Sequence, residues 1–130
     1  MSKKDNLETS HYFHTPIYHI EIPEWVNSVN KVCNKYIKNA KKRNQPAIKQ
    51  REKRCKKKIG DLNMSHHSSS MVNDPLLKEF QSYIGATSHN ILENMGYDLS
   101  NYSLFWTELW VQEFSKQSGG HHIGHIHYDN

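Results

Sequence analysis

An α+β fold, with helices first and strands at the end, is what this sequence predicts, and three observations predict it. Apolar residues recur at helical spacing from Trp25 to Ala40, and a second helical stripe follows a cap signal at Asn73-Asp74-Pro75. From Leu104 onward the apolar residues fall on both parities, which a one-sided helix does not do. The 130 residues fit one small domain, 1–130. A hydrophobic share of 35% implies a thin core, while 11% aromatic residues, with all three tryptophans in packed-looking segments, favour a globular chain over disorder.

Residues 11–22 (HYFHTPIYHIEI) are rich in β-branched and aromatic side chains and are broken by Pro16, which predicts an edge strand or an extended arm. Pro23 suits the first position of a helix and Glu24 its first turn. Trp25, Val29, Cys33, Tyr36 and Ala40, widened by Val26, Val32 and Ile37, then predict a helix over residues 23–42. Asn44-Gln45-Pro46 is expected to interrupt it. A second, highly charged helix is expected to run to Ile59 and stop at Gly60. Ile48, Cys55 and Ile59 are too few to bury a face, so this helix should lie on the surface.

The basic segment 31–60 dominates the electrostatics. Residues 31–58 hold 13 of the 17 basic residues and a single acid, Glu52, whereas the remainder holds 4 basic and 12 acidic residues, a net of −8. Such a strip attracts phosphates, of nucleic acid or of another acidic partner. Its ordinary reading is a solvated helical face.

Residues 61–73 (DLNMSHHSSSMVN) read as a polar loop, and His66 and His67 as surface residues of it, because no acid or cysteine accompanies them at ligand spacing. Asn73-Asp74-Pro75 opens a helix whose buried stripe is Leu77, Phe80, Ile84, Ile91 and Met95 and which ends at Gly96; Gly85 weakens its interior. After a turn at 98–101, residues 102–130 should supply a core strand and a second strand. In the first, 104–114 (LFWTELWVQEF), Trp106, Trp110 and Phe114 share one side with Glu108 and Gln112. Phe105, Leu109 and Val111 share the other. A strand apolar on both faces is expected to be covered on both.

No run approaches the ~20 apolar residues that a membrane span requires. The start, MSKKDN, has no apolar region behind it and so does not read as a signal peptide. A cytoplasmic chain is therefore expected, with Cys33 and Cys55 as reduced intracellular thiols rather than a disulfide or a zinc site.

The end of the chain, SGGHHIGHIHYDN, places four of the ten histidines within seven residues. In an extended strand His125, His127 and Asp129 project from one face. Two imidazoles and a carboxylate suit a first-row divalent metal, and a facial set of this kind leaves coordination positions open. His121 and His122, nearer the glycine turn, read as structural or substrate-facing. The alternative is a histidine-rich end that binds Zn²⁺, Ni²⁺ or Cu²⁺ weakly and without function.

Four stretches, YFHTPIY, NMSHHSSSM, NDPLLKEFQSYI and LFWTELWVQEFSKQSGGHHIGHIHYDN, resemble 2-oxoglutarate/Fe(II)-dependent oxygenases of the kind encoded by marine phages and bacteria. The resemblance spans nearly the whole chain and is strongest over residues 106–127. It implies a double-stranded β-helix, or jelly roll, with helices packed on its first strands and iron at its open end. Fe(II) and 2-oxoglutarate would be cofactor and cosubstrate, and oxidative decarboxylation would drive hydroxylation of an unnamed substrate. If phage-encoded, the protein would work in the host cytoplasm. The family continues beyond H-x-H with a Ser-Gly-aromatic strand, a distal histidine and a basic residue for the cosubstrate, so the chain is expected to carry only the N-terminal part. His125 and His127 match the family's H-x-H, and His127-Tyr128-Asp129 also spells the H-x-D of many relatives. Both pairings stay open, with His127 common to them. Trp106 and Trp110 either line the pocket or simply pack. The competing reading is a non-catalytic binding module that uses the basic helical patch.

Overall fold

The computed structural model describes residues 16–116. Within them the chain is α+β: helix α1 (Val26–Cys55), strand β1 (Ser65–His67), helix α2 (Lys78–Asn94) and strand β2 (Gln112–Phe114). No described helix is long and apolar enough to cross a membrane. Residues 16–22 form an exposed arm with no strand pairing, tied by the Tyr18 hydroxyl to Asn94 Oδ1 at 2.9 Å.

A 3-10 turn, Pro23–Trp25, leads into α1 as its proline suggested. The helix then runs unbroken for 30 residues, straight through Pro46, where a break was expected. Pro46 is exposed, as is Lys42, whose carbonyl loses its partner, so water can replace the missing hydrogen bond. Lysine, glutamine and alanine around it sustain the helix. The second half is not purely superficial either, since Ile48 is 7% exposed.

The end of α1 depends on the one acid of the basic run. Lys56 turns left-handed at φ 52° and closes on the Glu52 carbonyl, while Glu52 Oε1 accepts the amides of Ile59 at 3.0 Å and Gly60 at 2.9 Å. Gly60, at φ +56°, belongs to this turn rather than to the helix end itself. Those two amides hold the Glu52 carboxyl below its ordinary range.

The core is thin, as composition implied. Val32, Met71 and Leu77 form its buried cluster, with Val29, Cys33, Tyr36, Leu109 and Val111 packed around them, and Ile37, Ala40 and Ile48 are buried along α1 besides. Asp74 caps the 3-10 turn Pro75–Leu77 through the Leu76 amide at 3.0 Å. Its other contacts, with Lys35 Nζ at 3.5 Å and with Tyr36, bind this junction to α1. Of the expected α2 stripe, Leu77 is buried, Phe80, Ile84 and Ile91 are half-buried, and Met95 is 47% exposed. The helix ends on a paired closure, Tyr97 N–H to the Leu92 carbonyl and Gly96 N–H to that of Glu93, with Gly96 at φ +92°. Trp25 holds the other side of α2, edge-on to Phe80 at 5.8 Å and beside Tyr83 at 6.1 Å.

The segment 61–73, expected as a loop, contains β1. It pairs antiparallel with β2 in the register Ser65–Phe114, His66–Glu113 and His67–Gln112. The strand expected over 104–114 is therefore short. Upstream of Gln112 the ladder continues only through Ser68 N–H to the Val111 carbonyl and Met71 N–H to that of Leu109. Nor is this segment fully covered: on the side where Leu109 and Val111 pack on the core, Phe105 is 80% exposed, and on the other side Trp110 is 38% exposed. A paired strand such as β1 lies along an edge and covers neither face. The free thiols Cys33 and Cys55 form no disulfide.

Leu77→Ala should lower unfolding stability by roughly 2–4 kcal/mol, and Leu76→Ala, at a 63% exposed site, by less than about 0.5. Equal losses in urea titrations would contradict this core. Pro46→Ala restores a helical amide and should raise stability by roughly 1–3 kcal/mol; an unchanged midpoint would mean that the helix is not continuous there.

Candidate functional site

The residues that the sequence singles out for metal, His125, His127 and Asp129, lie outside the described residues, as do His121 and His122. Trp106 and Trp110, which lead toward that motif, are described. Trp106 donates its Nε1 proton to the Gln81 carbonyl at 3.2 Å, fastening the extended segment to α2. Trp110 stacks on His67 with ring centroids 4.3 Å apart. Both contacts are packing roles, in keeping with how large aromatics usually serve on extended chains.

The most elaborate polar arrangement is built around His66. It was read as a surface residue, yet it is 1% exposed. β1 alternates its side chains, so His66 points under the sheet toward α1 while Ser65 and His67 point away. Asn44 Nδ2 donates to His66 Nδ1 at 3.1 Å, which leaves the ring proton on Nε2, 3.0 Å from Asp61 Oδ2. Asp61 Oδ1 in turn accepts from Ser115 Oγ at 3.2 Å. The carboxyl of Asp61 is held below its usual range by the His66 contact first, opposed by burial, with the Ser115 bond adding to the lowering.

Sequence reasoning missed this group because the acid lies five residues before His66 and its other partner 22 residues before it. The missed signal was local: an aspartate just upstream, in a turn that brings it back. What the arrangement can do is limited by its geometry. Both ring nitrogens are engaged and the residue is 1% exposed, so His66 offers no open ligand atom. Among the described residues no group of three or more His, Cys, Asp and Glu side chains is arranged to hold a metal ion.

A cleft of 340 Å³ opens beside this network, lined by Lys41, Gln45, Lys49, Glu52, Asp61 and His66 among others. Nearby, Arg51 Nη2 donates to the Leu62 carbonyl at 2.8 Å, and Arg43 Nη2 to the His67 carbonyl at 2.7 Å. Lys41 pairs with Glu113 of β2. These contacts dock the sheet and its preceding turn on α1, and they spend the inward-facing charges on structure.

His66→Ala should therefore cost roughly 2–4 kcal/mol, from a cavity plus the stranded Asn44 and Asp61 groups, measured by urea unfolding. A loss no larger than that of an exposed histidine such as His19 would remove the structural role. Acid should act through the carboxylates: Asp61, Asp74 and Glu52 all have folded pKa values lowered from their ordinary ones. Their stabilisation is complete above their unfolded values of about 4 and is lost as pH falls through the folded values. Asp61→Asn should flatten the fall in stability below about pH 4; a wild-type slope in that variant would exclude Asp61 as a contributor. Comparison of the chain with family models, curated proteins and solved structures finds no match.

Proposed function

We propose that this chain carries the first metal-binding motif of an Fe(II)- and 2-oxoglutarate-dependent oxygenase. The observation that carries the reading is the sequence alternation His125-x-His127-x-Asp129 behind Gly119-Gly120, which in an extended strand would set two imidazoles and a carboxylate on one side. That donor set fits a first-row divalent ion and suits iron with positions left open. The chain after α2 supports it: an extended segment rich in aromatic side chains ends in β2 and leads in sequence to the histidine motif. In this reading β1 and β2 belong to the first strands of a jelly roll, with α1 and α2 as its helical cladding.

When bound, the iron would supply oxidative chemistry coupled to decarboxylation of 2-oxoglutarate. The chain's own contribution is to fix donor geometry and keep water away. His127 is the common member of both possible ligand pairs, His125 with His127 and His127 with Asp129. The substrate is any molecule with an accessible C–H bond, whether protein, nucleotide, lipid or metabolite.

Anaerobic titration with Co²⁺, a spectroscopic stand-in for Fe²⁺, should show one site in the full chain. His127→Ala should weaken it at least about 10-fold, and the same loss on either His125→Ala or Asp129→Ala selects the pair. The full-length gene product with Fe²⁺ should form succinate from 2-oxoglutarate. Metal binding that survives His127→Ala unchanged, or no succinate from a protein that holds iron, would end the proposal.

A further inference from the structure

The outer face of α1 is a single-sign rail. Lys31, Lys35, Lys38, Lys42, Lys49 and Lys53 follow one another at intervals of 4, 3, 4, 7 and 4 residues, and all six are exposed. At 3.6 residues per turn these intervals return to one narrow stripe, and Gln45 takes the place of the missing step. Because the helix is continuous through Pro46, the stripe is continuous too, extending roughly 33 Å at 1.5 Å per residue. It lies opposite the face that buries Val32, Ala40 and Ile48.

The cations Arg43, Arg51 and Lys41 are engaged with the turn and the sheet, and Lys35 reaches Asp74 at 3.5 Å with its side chain 64% exposed. The other five lysines of the stripe have no ion-pair partner among the described residues. The arrangement works against the helix. The pairs Lys31/Lys35, Lys38/Lys42 and Lys49/Lys53 set like charges four apart, each pair mildly unfavourable to the helix. Solubility alone would be served by mixed signs. Helix propensity and a basic last turn account for some lysines but not for one sign along a whole face, for which an extended polyanion gives the reason.

We infer that this face of α1 binds the phosphate backbone of duplex nucleic acid without reading its sequence. Lysine ammonium groups are mobile point charges, suited to phosphates and poor at bidentate base recognition. The stripe carries no aromatic side chain on which unpaired bases would stack, which favours a duplex over a single strand. A membrane surface fits less well, because the apolar face such a helix would insert is already buried in the core. An acidic protein would need apolar or arginine anchors that the stripe lacks. This inference does not rest on the iron centre.

The test is fluorescence anisotropy of a short labelled DNA duplex with the full chain, in EDTA so that no metal contributes. Five phosphate contacts give a slope of log affinity on log salt near −4.5, a loss of roughly 500-fold between 50 and 200 mM salt. Lys38→Glu with Lys49→Glu should weaken binding at least about 10-fold and make that slope shallower. Lys78→Glu with Lys116→Glu, which changes net charge equally at exposed sites off the stripe, should weaken it less than about 3-fold. Circular dichroism on both variants establishes that they fold. The inference is overturned by absent binding at low salt or by equal losses in the two variants. It is also overturned if single strands, anionic vesicles or polyglutamate bind as tightly as the duplex.

Discussion

The burial of His66 is the constraint on which the rest of the fold depends. An imidazole removed from water needs a partner for each ring nitrogen, and the two partners, Asn44 and Asp61, come from α1 and from the turn that follows it. Asp61 then recruits Ser115, just past β2, so helix, turn and both strands meet at one ring. A core whose buried cluster is Val32, Met71 and Leu77 supplies little area to orient a two-stranded sheet. Hydrogen bonds with fixed directions do that instead, aided by Arg43 and Arg51 reaching backbone carbonyls.

The same economy explains α1. Its inner face joins apolar side chains near the N-terminal half to polar clamps in the C-terminal half, where the sheet packs. Glu52, the one acid in the basic run, does not neutralise the surface; it gathers two amides and closes the turn that delivers Asp61 to His66. Of the stripe lysines outside, Lys35 reaches Asp74, and the other five have no ion-pair partner among the described residues. That division of labour within one helix separates the chain's folding chemistry from its interaction chemistry.

Much of α2 was legible because its signals are local. Asp74 before Pro75 satisfies amides within two residues, and Gly96 takes a conformation that side chains resist. The break expected at Pro46 failed for a physical reason: a proline on the exposed side leaves its orphaned carbonyl to solvent. The long strand expected at 104–114 failed because alternation reports faces, not partners, and β1 offers three residues to pair with. His66 was misplaced because its burial needs Asn44 as well as the nearby Asp61, and nothing local marks the contact with Asn44.

By itself, then, the sequence determined the α+β class, the starts of both helices, the end of α2, the thin core and the charge asymmetry, but not that β1 lies between the helices. Capping, periodicity and composition act over a few residues or over the whole chain, and both are readable without coordinates. Tertiary structure alone decided that α1 is one helix with all its stripe lysines aligned. It alone also turned His66 inward and made Glu52 and Asp61 its supports. Those outcomes depend on contacts between segments brought together from 5 to 54 residues apart, where desolvation and hydrogen-bond geometry, not local preference, choose the conformation.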